Sequence, residues 1–102
     1  MEPVEILDNV IEGYESGRVV WRQYGANYSP TQTMGLCVQQ AVWNAYVGMG
    51  GKDLDPYLTT MRTVRKHVGT YTVPEWNDQA DLTFSVMLDT LKTVANGLRT
   101  NT

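Results

Sequence analysis

Cys37 is the only cysteine and His67 the only histidine of the chain. A thiol at a helix start, as in "MGLCVQQAVWNAYVG", is favoured as thiolate by the helix dipole, and an imidazole could take its proton, so this pair is the one arrangement here that suits nucleophilic catalysis. A second group is Trp76-Asn77-Asp78 in "TVPEWNDQADLTF". An indole followed by two short hydrogen-bonding side chains offers a stacking surface with polar readers of a ligand. Trp21, Gln23 and Tyr24 offer another such set. Arg62, Arg65 and Lys66, with His67 beside them, recur every three or four residues and share a helix surface that suits an anion such as a nucleotide phosphate.

Each group also has a plain structural reading. A buried cysteine is usually a small hydrophobe. The stretch "HVGTY" resembles the histidine strand of small NlpC/P60 cysteine peptidases, but His67 reads at the end of a helix and no sheet-rich segment follows. A small cysteine hydrolase using Cys37 and His67 therefore stands as the alternative reading. Cations in the last turn of a helix complement its dipole without any ligand. Trp76 could plug the core while Asn77 and Asp78 bond backbone N–H groups of a turn. The pairs Asp53/Asp55 and Asp78/Asp81 are too local to claim a metal, and one cysteine with one histidine cannot build a structural zinc site. Walker, dinucleotide and nucleophile-elbow patterns are absent, and no cofactor is expected.

The bulk properties narrow the class. At 102 residues, with 42% hydrophobic and 19% charged content, residues 1–102 read as one globular domain. A net charge of −3 argues against a duplex-DNA binder. No apolar run reaches the roughly 18 residues of a membrane span. The acidic "MEPVEILDNV" lacks a signal peptide's basic start, and the cysteine usage suits a reducing compartment, so a cytoplasmic location is expected.

Four helices would have to position these groups. Val4, Leu7, Val10, Ile11 and Tyr14 predict a helix over Pro3–Ser16, stopped by Gly17. Arg18–Thr33 predicts a short β-hairpin or an ordered extended segment, with Pro30 breaking regular structure. Gly35–Val47 is almost wholly apolar and predicts a helix buried on most sides, the spine of the core. Asp55 as N-cap and Pro56 as first residue open a helix to Val68. Thr70–Val73 reads as extended, because Pro74 disfavours helical backbone before it. Phe84, Met87, Leu88, Leu91, Val94, Ala95 and Leu98 predict a last helix over Leu82–Leu98, with a frayed tail. The expected fold is mainly α, a compact four-helix single domain with a short β-hairpin or extended segment.

In order, "VVWRQY", "GLCVQQAVWNA" and "VPEWND" resemble a family of small uncharacterised actinobacterial and actinophage proteins. The family's Trp-x-Gln element matches Trp21 and Gln23. Its cysteine helix matches Cys37 and Ala41, and its Trp-Asn-Asp turn matches Trp76, Asn77 and Asp78, with Thr83 opening the last helix. Gln40 stands where the family has glycine. Val86 stands where it has glutamate, which removes the capping box of Thr83 and leaves Asp78 or Asp81 to start that helix. The resemblance implies a bacterial or phage origin, a bacterial host cytoplasm if phage-encoded, and one spatial cluster of Trp21, Gln23, Cys37 and the Trp76 turn. It brings no activity with it.

The reading is a non-enzymatic binding protein, a phage or bacterial accessory factor that binds a host protein or sequesters a small nucleotide-like ligand. Its expected ligand-binding residues are Trp21, Gln23, Tyr24, Trp76, Asn77, Asp78, Arg62, Arg65 and Lys66. Trp76 would be structural, with Gln23, Asn77 and Asp78 bordering a shallow polar pocket. Ten aromatic residues in so small a chain exceed what one core hides, so a homo-oligomer is expected.

Overall fold

The computed structural model describes residues 1–23, 35–69 and 71–100. Over these residues the chain forms five helices, α1 (Pro3–Ser16), α2 (Val38–Gly48), α3 (Asp55–Val68), α4 (Val73–Asn77) and α5 (Phe84–Thr100). The described residues contain no strand, only an isolated parallel bridge between Trp21 and Leu36. The part of the expected hairpin that spans residues 24–34 lies outside the described residues.

Helix α1 starts where Pro3 suits a first turn and where the Glu5 carboxylate accepts the Glu2 N–H at 3.1 Å. It ends at Gly17, whose left-handed φ of 78° turns its N–H back to the Tyr14 carbonyl. Its buried stripe is Ile6, Leu7, Val10, Ile11 and Tyr14. Each such side chain contributes roughly 1.5–3 kcal/mol when removed from water. This stripe packs most extensively on Met87, Leu88, Leu91, Val94 and Ala95 of α5, and also meets α2 and α3. The core is therefore centred on α1, not on the second helix.

Antiparallel ion pairs lace the outer edges of α1 and α5, Arg99 to Asp8 at 2.8 Å and Lys92 to Glu15 at 2.9 Å. All four side chains are about half exposed, so these pairs set alignment more than they add stability.

The second helix begins at Val38, three residues later than its composition predicts. Leu36 is drawn into backbone bonding instead, donating to the Val20 carbonyl at 2.7 Å and accepting from Arg22 N–H at 3.2 Å. Cys37 is then the extended N-cap. Nor is α2 buried on most sides: Val38, Ala41, Val42, Ala45 and Tyr46 are covered, while Trp43 is 42% and Val47 51% exposed. Helix α3 has its predicted bounds, but Leu54 is the N-cap and Asp55 the first residue, with Asp53 Oδ1 accepting the Asp55 N–H at 3.1 Å.

Of the stretch read as extended, Thr70 lies outside the described residues and Thr72 is extended, but Val73 and the turn that follows form the short helix α4. Thr72 caps it, and the Glu75 carboxylate accepts from the Thr72 N–H at 3.2 Å while Thr72 Oγ1 accepts from Glu75 N–H at 3.3 Å. The last helix begins at Phe84, not Leu82, and Thr83 still caps it, its hydroxyl accepting the Val86 N–H at 3.2 Å. With valine at position 86 only the reciprocal half of a capping box is absent, so neither Asp78 nor Asp81 has to supply the start. At the other end Arg99 and Thr100 remain helical rather than frayed.

The turn after α2 depends on a close approach. The Tyr46 hydroxyl donates to the Asp53 carbonyl at 2.6 Å, and a Cβ added at Gly51 would fall 2.3 Å from the Tyr46 ring. Gly51→Ala should therefore cost about 1–3 kcal/mol through overpacking against a buried ring. Gly48→Ala, which meets nothing within 4 Å, should be neutral or stabilising by up to about 1 kcal/mol. Urea unfolding midpoints of the two variants should move in opposite directions, or only the first should move.

Candidate functional site

The Trp21, Gln23 and Asn77 side chains meet where the segment after α1 crosses the start of α2 and the end of α4. Asn77 is fully buried. Its Oδ1 accepts from the Trp21 indole N–H at 2.8 Å and from the Val38 backbone N–H at 3.0 Å. Its Nδ2 donates to the Arg22 carbonyl at 3.0 Å and to Asp78 Oδ1 at 3.1 Å. Both acceptor positions and both donors of the amide are thus used within the fold. Gln23 adds two bonds, its Nε2 donating to the Asn77 carbonyl at 3.2 Å and the Gln79 carbonyl at 2.6 Å. The Trp21 ring lies against Phe84, with centroids 6.3 Å apart.

The structure therefore brings Trp21, Gln23, Asn77 and Asp78 together, with Trp76 buried beside them in the core. Asn77 does not border open space, because it is sealed beneath its partners. Gln23 and Asp78 remain partly accessible. Tyr24 lies outside the described residues.

Cys37 adjoins this cluster at the start of α2, where its N–H donates to the Gln40 side chain at 3.3 Å. Its thiol is buried, and burial pushes its pKa up; the backbone N–H groups of Gln40 and Gln39 offset part of that rise, and the negative charge of Asp78 adds a smaller one. That is the reverse of an activated nucleophile. His67 sits exposed at the end of α3, on a groove shared with Thr63, Lys66 and the Thr93–Leu98 stretch of α5, where no thiol lies.

The cations of α3 part company. Lys66 faces the α5 groove with His67. Arg62 and Arg65 face the opposite groove, about 240 Å³, lined by Leu58, Met61, Thr72, Val73 and Pro74 at the N-terminal end of α4. Among the described residues none of the three is in a salt bridge, though the Glu75 carboxylate is close enough to feel the charge of Arg65, whereas Glu12, Glu15 and Asp8 of α1 pair with Arg18, Lys92 and Arg99. The groove holding Arg62 and Arg65 and the Trp21–Asn77 cluster lie at opposite ends of α4.

Sequence reasoning missed one surface. The outer side of α2 carries Gln39, Gln40, Trp43, Asn44 and Val47, and no residue of α2 is charged. With Leu36 and Tyr57 most of this face lines a shallow cavity of about 550 Å³. The period of 3.6 residues would have shown it, since these positions fall opposite Val38, Val42 and Ala45. Comparison of the chain with protein-family models, with curated protein sequences and with solved structures gave no match.

Two measurements test this geometry. Asn77→Ala strands the Val38 N–H and the Trp21 indole N–H, at roughly 1–3 kcal/mol each, so a loss of about 3 kcal/mol or more in a urea titration is expected. For pH, burial raises the pKa of both Cys37 and the Tyr14 hydroxyl, which donates to the Leu36 carbonyl at 2.8 Å. On raising the pH the unfolded chain releases these protons first. Their contribution is thus complete below the ordinary thiol pKa of about 8.5 and is lost as pH climbs through and beyond it. Melting temperatures between pH 7 and 10.5 should fall, and Cys37→Ala should flatten the first part of the decline.

Proposed function

We propose that the protein is a non-enzymatic binding module that engages an acidic, amphipathic segment of a host protein through the groove between α3 and α4. The observation that carries this reading is the pairing of Arg62 and Arg65, neither in a salt bridge among the described residues although Glu75 feels the charge of Arg65, with the apolar Leu58, Met61, Val73 and Pro74 in one groove. Exposed guanidinium groups beside an apolar lining suit a peptide that presents carboxylates next to aliphatic anchors.

A nucleotide-like ligand fits this groove less well. Among the described residues no aromatic side chain lines it, so a base has none of these to stack on, and the Trp21 indole N–H is already bonded to Asn77. The raised thiol pKa of Cys37 and the exposed, distant setting of His67 support binding over hydrolysis. An accessory role in a bacterial or phage-infected cytoplasm accords with the motif resemblance and the net charge of −3.

An array of acidic amphipathic, neutral and basic peptides should show binding only to the first class, with micromolar affinity that weakens as salt shortens the reach of the arginine charges. The double variant Arg62→Glu/Arg65→Glu should lose at least tenfold in affinity with an unchanged melting temperature. Equal binding to all three classes, or a nucleotide raising the melting temperature where no peptide does, would overturn the reading.

A further inference from the structure

We infer that the outer face of α2 is the contact between two copies of this chain. This surface is separate from the α3–α4 groove and does not depend on the function proposed for it.

The first observation is the seating of Trp43. Its ring is 42% exposed, yet it is held by two other rings, at 5.1 Å and 81° from Tyr57 and at 5.5 Å from Tyr46. Tyr46 is in turn fixed by its hydroxyl bond to the Asp53 carbonyl. An exposed indole that is already ordered loses little entropy when covered, which is the condition for a dominant anchor at an interface. Val47, one turn on, is 51% exposed.

The second observation is charge. The chain carries −3, so two copies repel over most of their surfaces. No residue of α2 is charged, although Arg18 lies beside Asn44, and its outer face carries the carboxamides of Gln39, Gln40 and Asn44. A carboxamide both donates and accepts, so a row of them complements its own image across a twofold axis, as charged side chains of one sign cannot. Loss of charge with enrichment in aromatic rings is also the composition of an interface core.

Register follows from position. Trp43 is the midpoint of Val38–Gly48. An antiparallel α2 pair with its axis beside Trp43 would set the two indoles side by side and bring Gln39 of each copy opposite Val47 of the other.

Sedimentation equilibrium between 1 and 500 μM should give a mass near 23 kDa, twice the 11.5 kDa of one chain. Trp43→Glu and Val47→Glu should each raise the dissociation constant about 30-fold or more while leaving circular dichroism and melting in the folded range. Val86→Glu, at an equally exposed apolar position on α5, should leave the dimer intact. A wild-type mass of one chain throughout, a dimer that survives both α2 substitutions, or dissociation by Val86→Glu would each overturn the inference.

Discussion

One buried amide holds three separate parts of the chain in register. The Asn77 side chain bonds the indole and backbone of the segment after α1, the first N–H of α2, and its own neighbour at the end of α4. In a low-dielectric interior each of these bonds is stronger than in water, and each orphaned partner would be correspondingly costly. Shape alone would let α4 rotate against α2, since both present mixed apolar surface there. The amide removes that freedom, because only one arrangement satisfies all four of its bonds. The single bridge of Trp21 to Leu36 and the extended Cys37 then follow from where Val38 must point its N–H.

Charge is distributed over the remaining surface by region. Asp8, Glu12 and Glu15 of α1 are matched by cations at its own end and along α5, so most of that edge is electrostatically closed. The cations of α3 form no salt bridge among the described residues, Arg65 acting on Glu75 only at longer range, and lie beside grooves with partly apolar linings. The face of α2 has neither sign. A domain this small cannot hide every aromatic ring, and of the two exposed rings held by others, Phe84 and Trp43, the second lies on a helix that lacks charge.

The parts of this fold that were legible in the sequence are those decided locally. Pro3, Gly17, Pro56 and Gly69 bracket α1 and α3, and the apolar stripes of α1 and α5 name most of the residues that are buried. The misread parts are those decided at a distance. Nothing near Leu36 announces that Val20 and Arg22 will claim its backbone, so α2 begins later than its apolar run does. Helix α4 was legible, since Thr72 and Glu75 form a capping box, but the preference imposed by Pro74 on Val73 was given more weight. The role of Asn77 was the least legible of all. An asparagine after a tryptophan looks like a turn residue, and its partners lie 39, 55 and 56 positions away. Apolar composition likewise marked Trp43 as core, whereas helical phase places it outside.

The most extensive helix contact joins the first helix to the last. During synthesis, the apolar stripe of α1 emerges from the ribosome well before residues 84–100 exist to cover it. Helices α2 to α4 can offer only part of that cover, and the Asn77 bonds that align them need the chain to have passed residue 78. The α1 stripe is therefore fully covered only once residues 84–100 have been made, with long loops to close before the decisive contacts form. Until then the nascent chain carries an unpartnered amphipathic helix, the kind of surface that chaperones hold and that premature termination would leave exposed.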